Sequence, residues 1–277
     1  MRQLFILVTC LMGFATAVGA QQANSLVASP LAALNSMNEG AEWDAVGRLH
    51  MGQRSFCTAS LITEDLVLTA AHCLFEKHSG QRIADSDLQF QAGVRLGRAA
   101  AYRNVRRSVV YEGYDYGSPS DANRVAADLA LIELDKPIRT KTIKPFYQMS
   151  RANPGDAVQV VSYAVERERA PSLQKLCHVL GAMKASQVLS CDVDYGASGA
   201  PIFLMKNGEP TIVAVVSAGA KMDGKSVALV APVADKLVLM QAELAASDGV
   251  FRRPVAKVRR LSRDEDAAST GAKFLKP

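Results

Sequence analysis

The feature that most constrains the fold is a series of short apolar segments between residues 45 and 233, separated by Gly, Pro, Asn and Asp. DLALIEL (128–134) and APIFLMK (200–206) are typical examples. Short runs rich in Val, Ile, Leu and aromatic residues and bounded by turn residues are typical of β-strands. About twelve such segments at frequent spacing predict an all-β protein, and this number fits two small barrels.

One segment near the end of the body has helical periodicity instead. In VADKLVLMQAELAAS (233–247), apolar residues recur at Val233, Leu237, Met240 and Leu244. This spacing places them on one helical face, which we expect to pack on the body. We find no internal repeat, phosphate-binding loop or dinucleotide fingerprint in the sequence, so nothing in it points to a nucleotide enzyme.

The N-terminus has the pattern of a secretory signal. Arg2 precedes an apolar run that ends with Val18 and Ala20 in a small-x-small arrangement. The run is short for a membrane span, so residues 1–20 are predicted to be a cleaved signal peptide. Residues 21–44 have no steady period and are interpreted as an extended arm or a propeptide. The predicted location is secreted or, in a bacterium, periplasmic.

The net charge of the C-terminal tail equals that of the whole chain. Residues 250–277 hold eight Lys or Arg and three Asp or Glu, and 8 − 3 gives the whole net charge of +5. The tail, 248–277, has the composition of a disordered segment and is predicted to contact anionic surfaces weakly, if at all. Residues 1–249 hold as many Lys and Arg as Asp and Glu, so no nucleic-acid partner is expected for the body, 45–247. Its oligomeric state is not indicated by the sequence.

The cysteines fit an oxidising compartment. Removal of a signal peptide containing Cys10 leaves Cys57, Cys73, Cys177 and Cys191, an even number. Four cysteines allow three pairings, of which the sequence-local one joins 57 to 73 and 177 to 191. A zinc site is the rival interpretation, but neither a CxxC motif nor a paired-histidine spacing supports it.

Three segments carry residues of one catalytic chemistry. CTASLITEDLVLTAAHC places His72 at the end of a strand, Asp128 opens the strand of DLALIEL, and Ser198 lies in CDVDYGASGAPIF. A serine hydroxyl needs an imidazole to take its proton, and the imidazole needs a carboxylate to fix its tautomer. The backbone N–H groups of Gly196 and Ser198 are candidate donors to an oxyanion.

In this order, LTAAHC, DLALIEL and GASGAP resemble the His, Asp and Ser blocks of the chymotrypsin/trypsin-like serine proteases, especially their bacterial secreted members. The resemblance extends from about Ala45 to Ala245. It implies two six-stranded antiparallel β-barrels with a catalytic cleft between them and a C-terminal helix outside. It also implies a secreted endopeptidase that acts on proteins or peptides through an acyl-enzyme, with no cofactor and no metal. An α/β-hydrolase is excluded, because there the serine precedes the acid and the histidine.

Alternatives remain for two of the three roles. Asp121 lies in a polar segment upstream of Asp128 and is the other candidate acid, although only Asp128 directly opens the strand. Ser190 and Ser217 are the nearest rivals of Ser198, but both lack its flanking glycines. A second functional hypothesis is a catalytically silent relative that binds peptides or a partner protein in the same cleft.

The resemblance also implies a specificity pocket. Asp192, six residues before the nucleophile, occupies the pocket floor, where a buried carboxylate pairs with Arg or Lys of a substrate. The alternatives are that Asp192 is a surface residue beside a disulfide, or that Asp194 takes its place. Tyr195 is expected at the rim, and Val216 stands where glutamate-specific relatives carry histidine. The predicted pocket-lining strand comprises Ser217, Ala218 and Gly219.

The sequence departs from the family at its activation device. Relatives that are activated by cleavage have an Asp directly before the serine, which pairs with a freed N-terminal amine, whereas this chain has Ala197. It also lacks an IVGG-type segment before AVGRL. We therefore expect that maturation does not use this ion pair. A disulfide between Cys177 and Cys191 is the candidate brace for the oxyanion donors.

Overall fold

A computed structural model describes residues 28–52 and 55–246. The predicted signal peptide, the beginning of the predicted arm and the basic tail lie outside the described residues. Among the described helices, none combines the length and the apolar character that a membrane crossing requires.

The first barrel is a closed antiparallel sheet in the order β2-β3-β4-β7-β6-β5. Buried apolar side chains alternate along its strands, as in β5, where Leu88, Phe90 and Ala92 point inward. The ladder between β2 and β5 closes the barrel. Its strands are β2 (Val46–Met51), β3 (Ser55–Leu61), β4 (Leu66–Thr69), β5 (Leu88–Ala92), β6 (Ala101–Val110) and β7 (Ala130–Leu134).

The second barrel has the order β9-β10-β13-β12-β11-β8 and is closed by the pairing of β8 with β9. A short strand, β1 (Leu31–Ala33), adds to β9 at residues 172–174. The strands of this barrel are β8 (Ala157–Ser162), β9 (Ser172–Met183), β10 (Ser186–Leu189), β11 (Pro201–Lys206), β12 (Glu209–Met222) and β13 (Lys225–Pro232).

Three α-helices lie outside the barrels in the described residues: α1 (Met37–Gly40), α2 (Ala122–Ala127) and α3 (Ala234–Ala246). In α3 the buried residues are Leu237, Met240 and Leu244, with Val233 buried just before the helix. The predicted amphipathic helix is therefore confirmed. Helix α2 was not predicted, because six residues are too few to display a helical period.

Both barrels were predicted, and the predicted two-barrel all-β fold with a C-terminal helix is confirmed. The twelve predicted segments correspond to β2–β13, whereas β1 lies in the predicted arm. The described part of the arm is attached to the body: β1 joins the second sheet, and Trp43 is 3% exposed. The Trp43 ring packs against Phe146 and Phe203, with ring centroids 6.2 and 5.0 Å away.

Candidate active site

His72 lies in a single 3-10 turn, Ala71–Leu74, directly after β4. The neighbouring Cys73 forms a disulfide with Cys57 of β3, across a sequence separation of 16 residues. Closing a loop of about this length stabilises a fold by about 3 kcal/mol in the chain-entropy description. The bridge therefore holds the turn that carries His72 against the first barrel.

Asp128 lies where α2 ends and β7 begins, and it is 2% exposed. Its carboxylate accepts three hydrogen bonds: from the His72 backbone N–H at 2.8 Å, from His72 Nδ1 at 2.7 Å and from Ser217 Oγ at 2.5 Å. These donors compensate the burial of the charge. Asp121, the alternative acid, instead caps α2 by accepting from the N–H groups of Asn123 and Arg124.

The contact with Asp128 fixes the tautomer of His72. A carboxylate carries no proton, so Nδ1 is the donor and Nε2 of the neutral ring is left as a proton acceptor.

Tyr114 borders the same acid, Asp128. Burial, followed by the charge of Asp128, raises the pKa of Tyr114 to about 12. The phenol thus stays protonated and adds no second negative charge.

Ser198 lies in the turn that joins β10 to β11, between two glycines with positive φ, Gly196 (+95°) and Gly199 (+81°). Side chains are strained in this region of φ and ψ. Space is restricted as well, because a Cβ on Gly196 would lie 2.7 Å from the Phe56 ring. A Cβ on Gly199 would lie 2.1 Å from the carbonyl oxygen of Thr58. The glycines of GASG allow the turn to pack closely against β3.

The two candidate oxyanion donors make no hydrogen bond to an acceptor in the described residues. Within residues 28–52 and 55–246, neither the N–H of Gly196 nor that of Ser198 has a protein acceptor, whereas the N–H of Ala197 donates to Asp194 O at 2.9 Å. The N–H of Gly199 likewise donates to Val216 O at 2.8 Å. An oxyanion hole requires free donors of this kind beside the serine that attacks the substrate.

A cleft of about 1040 Å³ between the two barrels brings these groups together. His72 and Asp128 from the first barrel line it, as do Gly196, Ser198 and Ser217 from the second. Thus the structure places the three predicted residues of the triad, and both predicted oxyanion donors, at one cleft. Ser190, a rival nucleophile, is not among the residues that line it; its Oγ accepts from the N–H of His178.

Some of the predicted specificity residues line the cleft and others do not. Tyr195 lines the rim of the cleft and is 75% exposed, and Ala218 lines the wall. Gly219 is paired in the ladder with Ala228. Asp192 and Asp194 are both exposed, and neither is a lining residue of this cleft. The exposure of Asp192 agrees with the alternative of a surface residue beside a disulfide, and not with a buried carboxylate at a pocket floor.

Two residues beside Asp192 were missed. Burial lowers the pKa of the Arg167 guanidinium, while the charges of Asp192 and Asp194 act in the opposite direction. The side chain of Gln174, 2% exposed, accepts from the Asp192 N–H at 2.8 Å and donates to Ser29 O at 2.7 Å. Both residues are distant from Asp192 along the chain, so no local pattern in the sequence indicates these contacts.

The second disulfide joins Cys177 in β9 to Cys191, the residue before Asp192. Both sequence-local disulfides are thus present, as predicted.

Ligand atoms of Cys57, His72 and Cys73 lie within 4.8 Å of one another, the spacing of a metal site. Both sulfurs are consumed in the disulfide, however, and a thiolate is the form of cysteine that binds metal. These three residues therefore do not form a metal site.

The two barrels, with a histidine, an aspartate and a serine at the cleft between them, define the class of the chymotrypsin-like serine proteases. The family model described as Trypsin matches residues 35–238. This chain belongs to the trypsin family. The match includes the part of the predicted arm that contains Trp43.

Curated relatives of the chain include "Serine protease 23" of Bos taurus and of Homo sapiens. The identity is 27% over 172 and 173 residues, which is 53% of this chain and 43% of each relative. The chain therefore matches less than half the length of these relatives. Among solved structures, "Structure of Glu endopeptidase in complex with MPD" superposes with a TM-score of 0.63 at 19% identity, covering 79% of this chain and 97% of that one. This likeness shows the fold alone.

Proposed function

We propose that the chain is a serine endopeptidase. Ser198 attacks the carbonyl carbon of a peptide bond, and His72 Nε2 takes its proton. Asp128 holds the imidazole in the required tautomer and stabilises the imidazolium. The observation that carries this proposal is the Asp128 carboxylate, which is 2% exposed and accepts from both N–H groups of His72 at the cleft that Ser198 lines.

The free N–H groups of Gly196 and Ser198 support the next step, in which they bind the oxyanion of the tetrahedral intermediate. His72 then donates its proton to the leaving amine, and an ester between Ser198 and the substrate is left. A water molecule, deprotonated by His72, hydrolyses this ester and restores the free serine. Apart from the substrate and this water molecule, every step uses side chains and backbone groups of this chain.

For specificity, we propose that Arg or Lys before the cut is favoured by the charges of Asp192 and Asp194. Both carboxylates are exposed, and Arg167 beside them offsets part of their charge. The preference expected from them is therefore modest. The substrates are extended protein or peptide segments that lie along Ser217 and Ala218 of β12.

We also propose that the protein is exported. The two disulfides support this, because such bonds persist in oxidising compartments, and the signal-like residues 1–20 agree with it.

Labelling with a fluorophosphonate probe tests the activity. We expect stoichiometric labelling of the purified protein at Ser198, with loss of labelling in Ser198→Ala and no loss in the control Ser190→Ala, whose serine lies outside the lining of the cleft. Peptide hydrolysis is expected to follow the same order. No labelling of the unmodified protein would contradict the proposal and would favour the catalytically silent relative that binds peptides.

A further inference from the structure

The segment that carries the oxyanion donors, residues 194–199, is here called the oxyanion loop. Relatives that mature by cleavage hold it through an aspartate directly before the serine, but here Ala197 is fully buried and its methyl group cannot pair with an amine. Upstream of β2, Trp43 is buried and β1 is paired with β9 of the second barrel. Some other group must fix the orientation of the peptide planes in this loop.

Four successive peptide groups of the oxyanion loop are held at their carbonyl oxygens. The carbonyl of Tyr195 accepts from Val165 N–H at 2.8 Å, and that of Ala197 accepts from Ala200 N–H at 2.9 Å. In a trans peptide the N–H points opposite to the C=O. These two contacts therefore direct the N–H groups of Gly196 and Ser198 away from their anchors, and both residues line the cleft.

The other two carbonyls are held by one residue, Thr58 of β3. Its N–H donates to Ser198 O at 2.8 Å, and its hydroxyl donates to Gly196 O at 2.8 Å. The hydroxyl in turn accepts from Tyr163 N–H at 3.0 Å, and the carbonyl of Thr58 accepts from Thr69 Oγ1 at 2.9 Å. Thr58 is fully buried and follows Cys57 of the first-barrel disulfide.

We infer that Thr58 is the positioning residue that keeps the oxyanion loop in its catalytic conformation, in place of the ion pair that Ala197 removes. Rotation of the Gly196–Ala197 peptide would separate Gly196 O from the Thr58 hydroxyl, whose other acceptor, Tyr163 O, lies further away at 3.3 Å. The first barrel thus holds, from outside the loop, the peptide groups that alternate with those of the oxyanion donors. The effect of Thr58 on catalysis rests on the proposed function, whereas its effect on the conformation of the loop rests on the hydrogen bonds alone.

The kinetic test compares Thr58→Val, which removes the hydroxyl at nearly constant shape, with Thr58→Ser, which retains it. The matched control is Thr211→Val, a buried threonine of the second barrel that is not among the residues lining the cleft. For Thr58→Val we expect kcat to fall about tenfold or more with little change in KM, less than the loss of about 10² to 10³ seen when an oxyanion donor is removed outright. Thr58→Ser is expected to restore most of this loss. Equal kcat for the two Thr58 variants, or an equal loss of kcat in the control, would overturn the inference.

A second readout needs no catalysis. Amide hydrogen exchange at Ala197 and Gly199, both hydrogen-bonded within the fold, is expected to accelerate in Thr58→Val and not in Thr211→Val. If the unmodified protein has no activity, the proposed function fails, and exchange alone decides the role of Thr58. Unchanged exchange in Thr58→Val would overturn that role while leaving the proposed function untouched.

Discussion

Two groups of residues near the cleft are built differently: the proposed catalytic side, which comprises the triad, the oxyanion loop and Thr58, and the proposed specificity side, which comprises Asp192, Asp194 and Tyr195. On the catalytic side, Asp128 and Thr58 are buried, and each makes at least three hydrogen bonds. On the specificity side, Asp192, Asp194 and Tyr195 are exposed, and the charges of the two carboxylates act on the pKa of Arg167 against the effect of its burial. Buried polar networks hold one geometry because an unpaired member is costly, whereas exposed charges are screened by water.

This difference teaches where sequence reasoning is reliable. His72, Asp128 and Ser198 each lie in a characteristic local motif, such as LTAAHC, although their hydrogen-bond partners lie elsewhere in the chain. The sequence has no comparable motif for the role of an exposed carboxylate. Its role depends on charged residues in other loops, such as Arg167, which lies 25 residues before Asp192 in the chain.

The largest effects are expected from removal of the disulfides. One disulfide adjoins each side, so the two removals test whether the sides affect catalysis differently. Their loops have separations of 16 and 14 residues, so removing either by paired Cys→Ser substitutions is expected to lower the free energy of unfolding by about 3 kcal/mol. Loss of Cys57–Cys73, which adjoins Thr58 and His72, is expected to lower kcat as well. Loss of Cys177–Cys191, which adjoins Asp192, is expected mainly to raise KM.

Denaturant unfolding gives the stability loss, and steady-state kinetics on the folded fraction gives the split between kcat and KM. The same kinetic change in both variants would break the distinction between the two sides. A large fall in kcat in the Cys177→Ser/Cys191→Ser variant alone would instead make that disulfide the brace of the oxyanion loop.

A smaller effect is expected from the charges of the specificity side. Arg167→Ala removes the cation that offsets Asp192 and Asp194, so kcat/KM for substrates with Arg or Lys before the cut should rise about threefold, as expected for exposed charge pairs worth up to about 1 kcal/mol. Asp192→Asn should lower it by a similar factor. Cleavage of a peptide library by both variants measures the change. An unaltered profile in both would exclude these residues from specificity.

Much of the fold could be predicted because it is encoded locally. The strand β9, for example, was predicted from SLQKLCHVLGAM with the bounds that the structure has. Helix α2 was missed because six residues capped by Asp121 show no period. Strand β1 was missed because three residues are too few to show a strand pattern. Its pairing depends on β9, which lies about 140 residues away in the chain.

The candidate site divides in the same way. His72, Asp128 and Ser198 were found from their motifs, and the structure brings all three to one cleft. Thr58 was not found, although it follows Cys57 directly, because its importance arises from carbonyl groups about 140 positions further along the chain. For Asp192 the sequence left two alternatives open, a buried pocket-floor carboxylate and a surface residue beside a disulfide, because a family position was transferred without the surrounding loops that would cover it.

The central claim is that the catalytic side is complete without a freed N-terminus. The most direct measurement is fluorophosphonate titration of the purified protein combined with intact mass, which defines its N-terminal residue. The account predicts stoichiometric labelling of Ser198 while the chain still begins upstream of Ser29, with no gain after controlled cleavage between Leu34 and Val46. Labelling that appears only after such a cleavage would contradict it.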